Sequence, residues 1–213
     1  MKRPLILVLV ILLIDQALKF WIKTSFTLGQ EIPLVGSWAR LHFIENEGMA
    51  FGMKFGGSAG KLALTIFRII ASFLIFLYLR AIVIKRDTKL NIYSIALILA
   101  GAIGNIIDSI FYGLIFSEST YFNIASLFPS EGGYGRLFHG KVVDMFYFPL
   151  IDTDLPNWIP LVGGNHFSFF NAIFNFADAS ITIGVAMLLF GIFFTKKEGN
   201  IEKDNIKDSK ETL

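Results

Sequence analysis

Three acids set in apolar surroundings mark where this chain could do chemistry: Asp108, Asp144 and Asp178. The stretch Phe174-Asn175-Phe176-Ala177-Asp178-Ala179-Ser180 opens the last long apolar run. An aspartate buried there costs about 2.5–3.5 kcal/mol or more on insertion scales, so by default it marks a functional site. On a helix, Asn171, Asn175, Asp178 and Thr182 follow one another at spacings of four, three and four residues, which predicts one polar face. Gly101-Ala102-Ile103-Gly104-Asn105-Ile106-Ile107-Asp108 likewise lines up Gly101, Gly104, Asn105 and Asp108, with small residues that admit a close neighbour. The plainer reading of Asn105 and Asp108 is hydrogen-bonded packing between helices. Asp144 is flanked by Val142, Val143, Met145 and Phe146, so its segment favours the membrane interface and can carry the acid back beside Asp178. Its plainer reading is a loop acid capping a turn. Two carboxylates brought together repel, lose solvation and share a proton; one then acts as base on a water and the other as acid.

The elements that must position these acids are membrane-spanning helices. Hydrophobic residues make up 54% of the 213 residues, and the mean hydropathy of +0.61 exceeds what a soluble core needs. Apolar runs predict four spans over about 4–22, 62–84, 92–111 and 169–194. The fold class expected is an all-α polytopic membrane protein. Lys2 and Arg3 before residues 5–14 also fit the start of a secretory signal peptide, but no small-x-small cleavage site follows. Asp15 and Lys19 in that first run stand one helical turn apart, which suits a buried structural ion pair.

Basic clusters at Lys2/Arg3, Lys85/Arg86/Lys89 and Lys196/Lys197 fall on one side of a four-helix topology, predicting both termini in the cytoplasm. Outer loops then cover 23–61 and 112–168, and residues 1–195 form the membrane domain. The charged tail 196–213 reads as disordered. Loop 23–61 carries short strand-like pieces, predicting a small sheet at the membrane surface, and Gly48 and Gly52 within it permit close approach to a ligand. At ~1.5 Å rise per residue, Asp108 and Asp178 lie roughly 24 and 27 Å from the cytoplasmic ends of their helices, at matching depth near the outer surface.

Other chemistries find less support. There is no cysteine, so no thiolate nucleophile and no Cys-based metal site. His42, His139 and His166 are scattered and form no H-E-x-x-H, and no phosphate-cradling loop is present. Gly56-Gly57-Ser58-Ala59-Gly60 matches G-x-S-x-G but precedes a spanning helix instead of forming a strand-to-helix elbow. A net charge of +2 with no basic, aromatic-interleaved run argues against a nucleic-acid partner.

Five strings in order, Asp15-Gln16-Ala17-Leu18-Lys19, Asn46-Glu47-Gly48-Met49-Ala50-Phe51, Gly101 to Asp108, Val142-Val143-Asp144-Met145 and Phe174 to Asp178, make the chain resemble lipoprotein signal peptidase (signal peptidase II) over 4–194. The resemblance implies an aspartic endopeptidase of the bacterial cytoplasmic membrane, working at its outer face without metal or organic cofactor. Its substrates would be diacylglyceryl-modified prolipoproteins, cut before the lipidated cysteine. Asp144 and Asp178 match the catalytic pair. Asn46, Gly48, Asn105, Asp108 and Asn175 match residues that bind substrate or orient the pair, and Asp15 and Lys19 match a structural pair. It further implies a small extracytoplasmic β-cradle over the site; the partners expected are the prolipoprotein and membrane lipids, and the protein is expected to be monomeric. The family usually has arginine after the aspartate matching Asp108; Ser109 stands here, with Arg136 and Lys141 as candidate substitutes. The chain between Asp108 and Asp144 is longer than usual, and a further outer stretch, 152–168, precedes the last helix.

Two other classes are compatible with intramembrane acids: a small ion or solute carrier using them as a proton relay, and a non-catalytic scaffold subunit. Against the carrier, the acids gather at one face and no inverted repeat is visible.

Overall fold

The computed structural model describes residues 1–36, 38–47, 57–169 and 171–211. Helix α1 (Lys2–Ser25) turns a stripe of Pro4, Val8, Ile11, Asp15, Lys19, Ile22 and Lys23 inward at three- and four-residue steps, leaving Ile6, Leu9 and Leu13 exposed on its outer face. Helix α2 (Gly57–Ile84) does the same with Lys61, Thr65, Ser72, Leu79 and Ile82. Helix α3 (Lys89–Ile107) starts at Thr88, whose hydroxyl accepts the Asn91 N–H at 3.2 Å. It continues through a π-helical turn (Asp108–Tyr112) into a short α4 (Gly113–Ile115). The last helix, α5, spans Phe176–Glu211. Among the described residues, four segments are long and apolar enough to cross a membrane: Lys2–Ser25, Gly57–Ile84, Lys89–Ile115 and Phe176–Phe193. Large apolar side chains exposed on them, such as Phe67, Phe73 and Phe193, are what a lipid-facing surface requires.

One difference from the sequence-based expectation concerns α5. It begins at Phe176 and not near residue 169, because Ile173 and Phe174 are taken into a sheet and Asn175 starts the helix instead of continuing it. Asn171 is therefore not on its polar face; it accepts a hydrogen bond from the Tyr147 hydroxyl at 2.6 Å. At the other end, α5 runs on to Glu211. No proline interrupts that stretch.

A four-stranded antiparallel sheet caps one end of the bundle in the order β1 (Glu31–Val35), β2 (Ala39–Asn46), β3 (Val142–Tyr147), β6 (Ile173–Phe174). The first loop thus supplies only half of it. Between β3 and β6, β4 (Ile151–Asp154) and β5 (His166–Phe169) form a separate hairpin. One core cluster lies within the helices around Val8, Ile11, Leu79, Ile95 and Leu99. A second, of Ile22, Phe26, Leu41, Phe43, Tyr112, Phe116, Val143 and Met145, glues the sheet to the ends of α1 and α3. Sheet and helices are thereby fixed to one another by apolar burial.

Helices α3 and α5 approach through small residues. A Cβ at Gly101 would lie 2.2 Å from the Ala177 carbonyl oxygen, and one at Gly184 would lie 2.7 Å from that of Ser94. With lipid on the outside, such close packing is what holds apolar helices together. Gly101→Ala should therefore destabilise the protein by about 1–3 kcal/mol through overpacking. At Gly191 the nearest obstacle is the flexible end of Leu90 at 3.0 Å, so Gly191→Ala should be milder. Thermal unfolding in detergent checks this; equal midpoints for the two variants would contradict the tight α3–α5 contact.

Candidate active site

Lys19, on the inner stripe of α1, is the centre from which the polar site is built. Its ammonium lies 3.0 Å from Asp15 Oδ2, 2.9 Å from Asp108 Oδ2 and 2.9 Å from Asn105 Oδ1, and Lys19, Asp15 and Asp108 are fully buried. An ammonium has three protons to donate, and all three find acceptors. Gln16 closes the cluster from the next position, donating to Asp108 Oδ1 at 3.0 Å and Asp15 Oδ2 at 3.1 Å, and accepting from the Tyr112 hydroxyl at 3.1 Å.

Because Lys19 can only donate, the Asn105 atom facing it must be its oxygen. The Asn105 amide nitrogen therefore points the other way, at Asp178 Oδ1, 2.7 Å distant. The same oxygen of Asn105 accepts from Asn175 Nδ2 at 3.1 Å, and Asn175 Nδ2 also donates to Asp144 Oδ1 at 2.6 Å. The Asn105 oxygen thus accepts from both Lys19 and Asn175, and the two amide nitrogens donate onward, Asn105 to Asp178 and Asn175 to Asp144.

Asn175 and Asp178 also form the N-terminus of α5. Asn175 Oδ1 accepts the Asp178 N–H at 2.9 Å, and Asp178 Oδ2 accepts the Asn175 N–H at 3.4 Å, a reciprocal capping arrangement. The Ala177 N–H is taken by Asp15 Oδ1 at 2.9 Å. Side chains thus satisfy helix-end donors that water would otherwise have to reach.

Asp144 arrives from β3. Val143 N–H donates to Asp108 Oδ2 at 3.3 Å, and Gly140 is pressed so close to the π-helical turn that a Cβ there would lie 2.0 Å from the Asp108 carbonyl oxygen. From the other side, β6 pairs Phe174 with Phe146. These contacts bring Asp144 against Asn175, while Asn46 at the end of β2 donates to Asp144 Oδ2 at 3.3 Å. Asp144 is 2% exposed, so it is no solvated loop acid. Burial, and after it the charge of Asp178, push its carboxyl up from the ordinary 3.8 to about 7, against the opposing hydrogen bond from Asn175.

Of the residues singled out in the sequence, Asp15, Lys19, Asn46, Asn105, Asp108, Asp144, Asn175 and Asp178 therefore join one network, and Gly48 lies outside the described residues. Lys141 does not replace an arginine beside Asp108; its ammonium pairs with Glu45 at 3.3 Å and Glu118 at 3.9 Å. Ser109 donates to the Asn105 carbonyl at 2.9 Å. Arg68 on α2 was not foreseen: its charge interacts with Asp178, Asp144 and Asp108 together. The spacing of Lys61, Thr65, Arg68 and Ser72 along one face of α2 was the available signal. Gln16 was likewise missed, although it stands beside Asp15. Ser58 Oγ lies 2.9 Å from His139 Nε2, but the other ring nitrogen of His139 faces the Leu137 carbonyl at 2.9 Å in place of the acid a triad needs. Among the described residues, no three His, Asp or Glu side chains gather as a metal site would require.

Comparison with known proteins supplies an independent line. The family model described as signal peptidase (SPase) II matches residues 7–194. The lipoprotein signal peptidase of Porphyromonas gingivalis is 52% identical over 184 residues, covering 86% of this chain and 79% of the relative. That of Amoebophilus asiaticus is 38% identical, covering 85% and 73%. A solved structure described as a bacterial membrane enzyme superposes with a TM-score of 0.62 at 20% identity, covering 93% of this chain and 92% of that one, which shows a shared fold.

The geometry makes Lys19 the strut of the network. Lys19→Met should destabilise the protein by about 3–5 kcal/mol, because two fully buried carboxylates lose their cation. Adding Asp15→Asn should recover part of the loss. Chemical unfolding in detergent measures both, and an unchanged Lys19→Met protein would show that the buried ion cluster does not hold the helices.

Proposed function

Because the chain belongs to the signal peptidase II family, we propose that it removes signal peptides from diacylglyceryl-modified bacterial prolipoproteins, cutting before the lipidated cysteine, with Asp144 and Asp178 as its catalytic pair. One observation carries the aspartic mechanism. Asn175 touches both carboxylates, donating to Asp144 and exchanging hydrogen bonds with Asp178, although the two acids are 34 positions apart on different elements. The carrier reading finds no support in the relatives, which are peptidases by name.

In the proposed reaction a water held between the carboxylates attacks the scissile carbonyl. Asp178 takes its proton, and Asp144, whose carboxyl keeps a proton up to about pH 7, gives one to the carbonyl oxygen. The tetrahedral diol then collapses: one of its hydroxyls returns a proton to Asp144 as the new carboxyl group forms, the C–N bond breaks, and the amine of the lipidated cysteine leaves with the proton that Asp178 held. Asn105 orients Asp178, while Asn175 and Asn46 orient Asp144. Asp108 holds the backbone beside Asp144 and so acts through position. Arg68 places a positive charge near all three aspartates, where developing oxyanion charge would be stabilised.

We place this site at the outer face of the bacterial cytoplasmic membrane. The start of α1, the end of α2 and the start of α3 meet at one end, where Lys2, Arg3 and Lys89 line a common cleft. A cytoplasmic location for that end follows from the positive-inside rule, which leaves sheet and site facing out. The bond to be cut, at the end of a membrane-held signal peptide, lies at that level.

Asp144→Asn and Asp178→Asn should each lower cleavage of a lipidated prolipoprotein by about 10²–10⁴-fold or more, with membrane insertion retained. Near-normal cleavage by either would remove that residue from the pair. The pH profile has a definite sign. With the Asp144 carboxyl at about 7, the acid form is lost as pH rises through that value, so kcat/KM should fall above about pH 7. The same proton makes the folded state lose stability as pH rises from the ordinary carboxylate range to about 7, with no further change from this group above it. A rate still rising above pH 8 would contradict Asp144 as the acid.

A further inference from the structure

The hairpin of β4 and β5 carries an eleven-residue tip, Leu155-Pro156-Asn157-Trp158-Ile159-Pro160-Leu161-Val162-Gly163-Gly164-Asn165, without a single charged residue. Trp158 is 80% exposed and Leu161 fully exposed, with Val162 exposed beside them. A flexible loop would fold such side chains inward or be replaced by polar ones, yet this tip is firmly built. Leu155 N–H donates to Asn165 O at 3.0 Å and Gly164 N–H to Leu155 O at 2.8 Å, closing its neck. Inside, Ile159 N–H reaches Pro156 O at 3.1 Å, Gly163 N–H reaches Ile159 O at 2.9 Å, and Asn165 N–H reaches Val162 O at 3.2 Å. Gly164 supplies a left-handed φ of 78°, and Leu161 adopts one of 70° that a residue with a side chain rarely takes. The backbone is closed upon itself while the apolar side chains are turned out.

Five of the tip's nine backbone N–H groups are satisfied within it and its apolar side chains face out, which suits the polar, hydrogen-bonding headgroup layer better than the hydrocarbon core, where every backbone group needs a partner. The distribution of charge sets the depth. The stem holds the exposed pair Asp154 and His166, 3.0 Å apart, so it stays in water. Tryptophan, proline, asparagine and glycine at the tip suit the headgroup level better than the hydrocarbon interior. The hairpin also hangs from the right place. Its strands follow β3 and lead back through β6 into α5, whose first residues begin a membrane-spanning segment, so the base of the hairpin is attached where the bundle meets the sheet. We propose that this loop, 155–165, is a membrane-surface anchor that seats Trp158, Leu161 and Val162 among the lipid headgroups of the leaflet next to the sheet. It holds the sheet end of the molecule at a set height over the bilayer. This assignment rests on the membrane-spanning fold and not on the peptidase chemistry.

The chain has three tryptophans, Trp21, Trp38 and Trp158, which makes the test direct. The full-length Trp21→Phe/Trp38→Phe protein reports on Trp158 alone when reconstituted, without substrate, into phosphatidylcholine vesicles carrying lipids brominated near the headgroup or at the chain ends. Trp158 emission should be lost strongly to headgroup-proximal bromine and weakly to chain-end bromine. Adding Leu161→Asp and Val162→Asp should shift the emission to the red and abolish the loss, with the thermal unfolding midpoint unchanged. Emission insensitive to both lipids would overturn the proposal. So would quenching that appears only after a lipidated prolipoprotein is added, which would make the loop a substrate cover, or only at high protein-to-lipid ratio, which would make it a contact between copies. Cleavage activity is read separately, so failure of the anchor and failure of the peptidase assignment remain distinguishable.

Discussion

An ammonium sealed inside an apolar bundle must be neutralised by groups that are themselves buried, and the way Lys19 is neutralised ties the molecule together. Its three acceptors are Asp15 on its own helix, Asn105 on α3 and Asp108 on the π-helical turn that continues α3. Asp15 then reaches α5 through the Ala177 N–H, and Asp108 reaches β3 through the Val143 N–H. One cation therefore fixes four elements. Removing any one partner leaves an unpaired group in a medium with no water to take its place, so the arrangement tolerates little local change.

The same hydrogen bonds that finish the fold also aim the acids. A helix that starts inside protein has orphan N–H donors, and α5 satisfies them with Asn175, Asp178 and Asp15. Asn175 then has its amide nitrogen left over, directed between Asn105 and Asp144. The carboxylates are held from behind by amides that Lys19 has already oriented. Such preorganisation leaves little rearrangement to be made when charge develops during a reaction.

Around this centre the chain has latitude. Ser109, next to Asp108, turns its hydroxyl onto the Asn105 carbonyl, and a second positive charge beside that of Lys19 acts on the aspartates from Arg68 on α2. The long connection 116–140 folds back onto the π-helical turn, with Phe138 N–H on Ile110 O at 3.2 Å and Gly140 N–H on Ser109 O at 2.8 Å, before delivering Asp144. That length lies outside the bundle, where loops grow at small entropic cost.

Much of this was legible in the sequence because the bilayer is a severe solvent. Apolar runs of spanning length, with acids in or beside them, are so costly unless used or paired that Asp15 with Lys19, Asn105 with Asp108, and Asp178 all stood out from residue type and spacing alone. Asp144 stood out by its apolar flanks, and family-like strings added a role for Asn46. Tertiary structure decided what depends on contacts between distant residues: that α5 starts after Asn175, that β6 joins β3 and draws half the sheet from the segment between α4 and α5, and that Arg68 and Gln16 act on the same acids. No local pattern encodes these. A helix boundary inside protein is set by which partners satisfy its first N–H groups, and those partners lie on other elements of the chain.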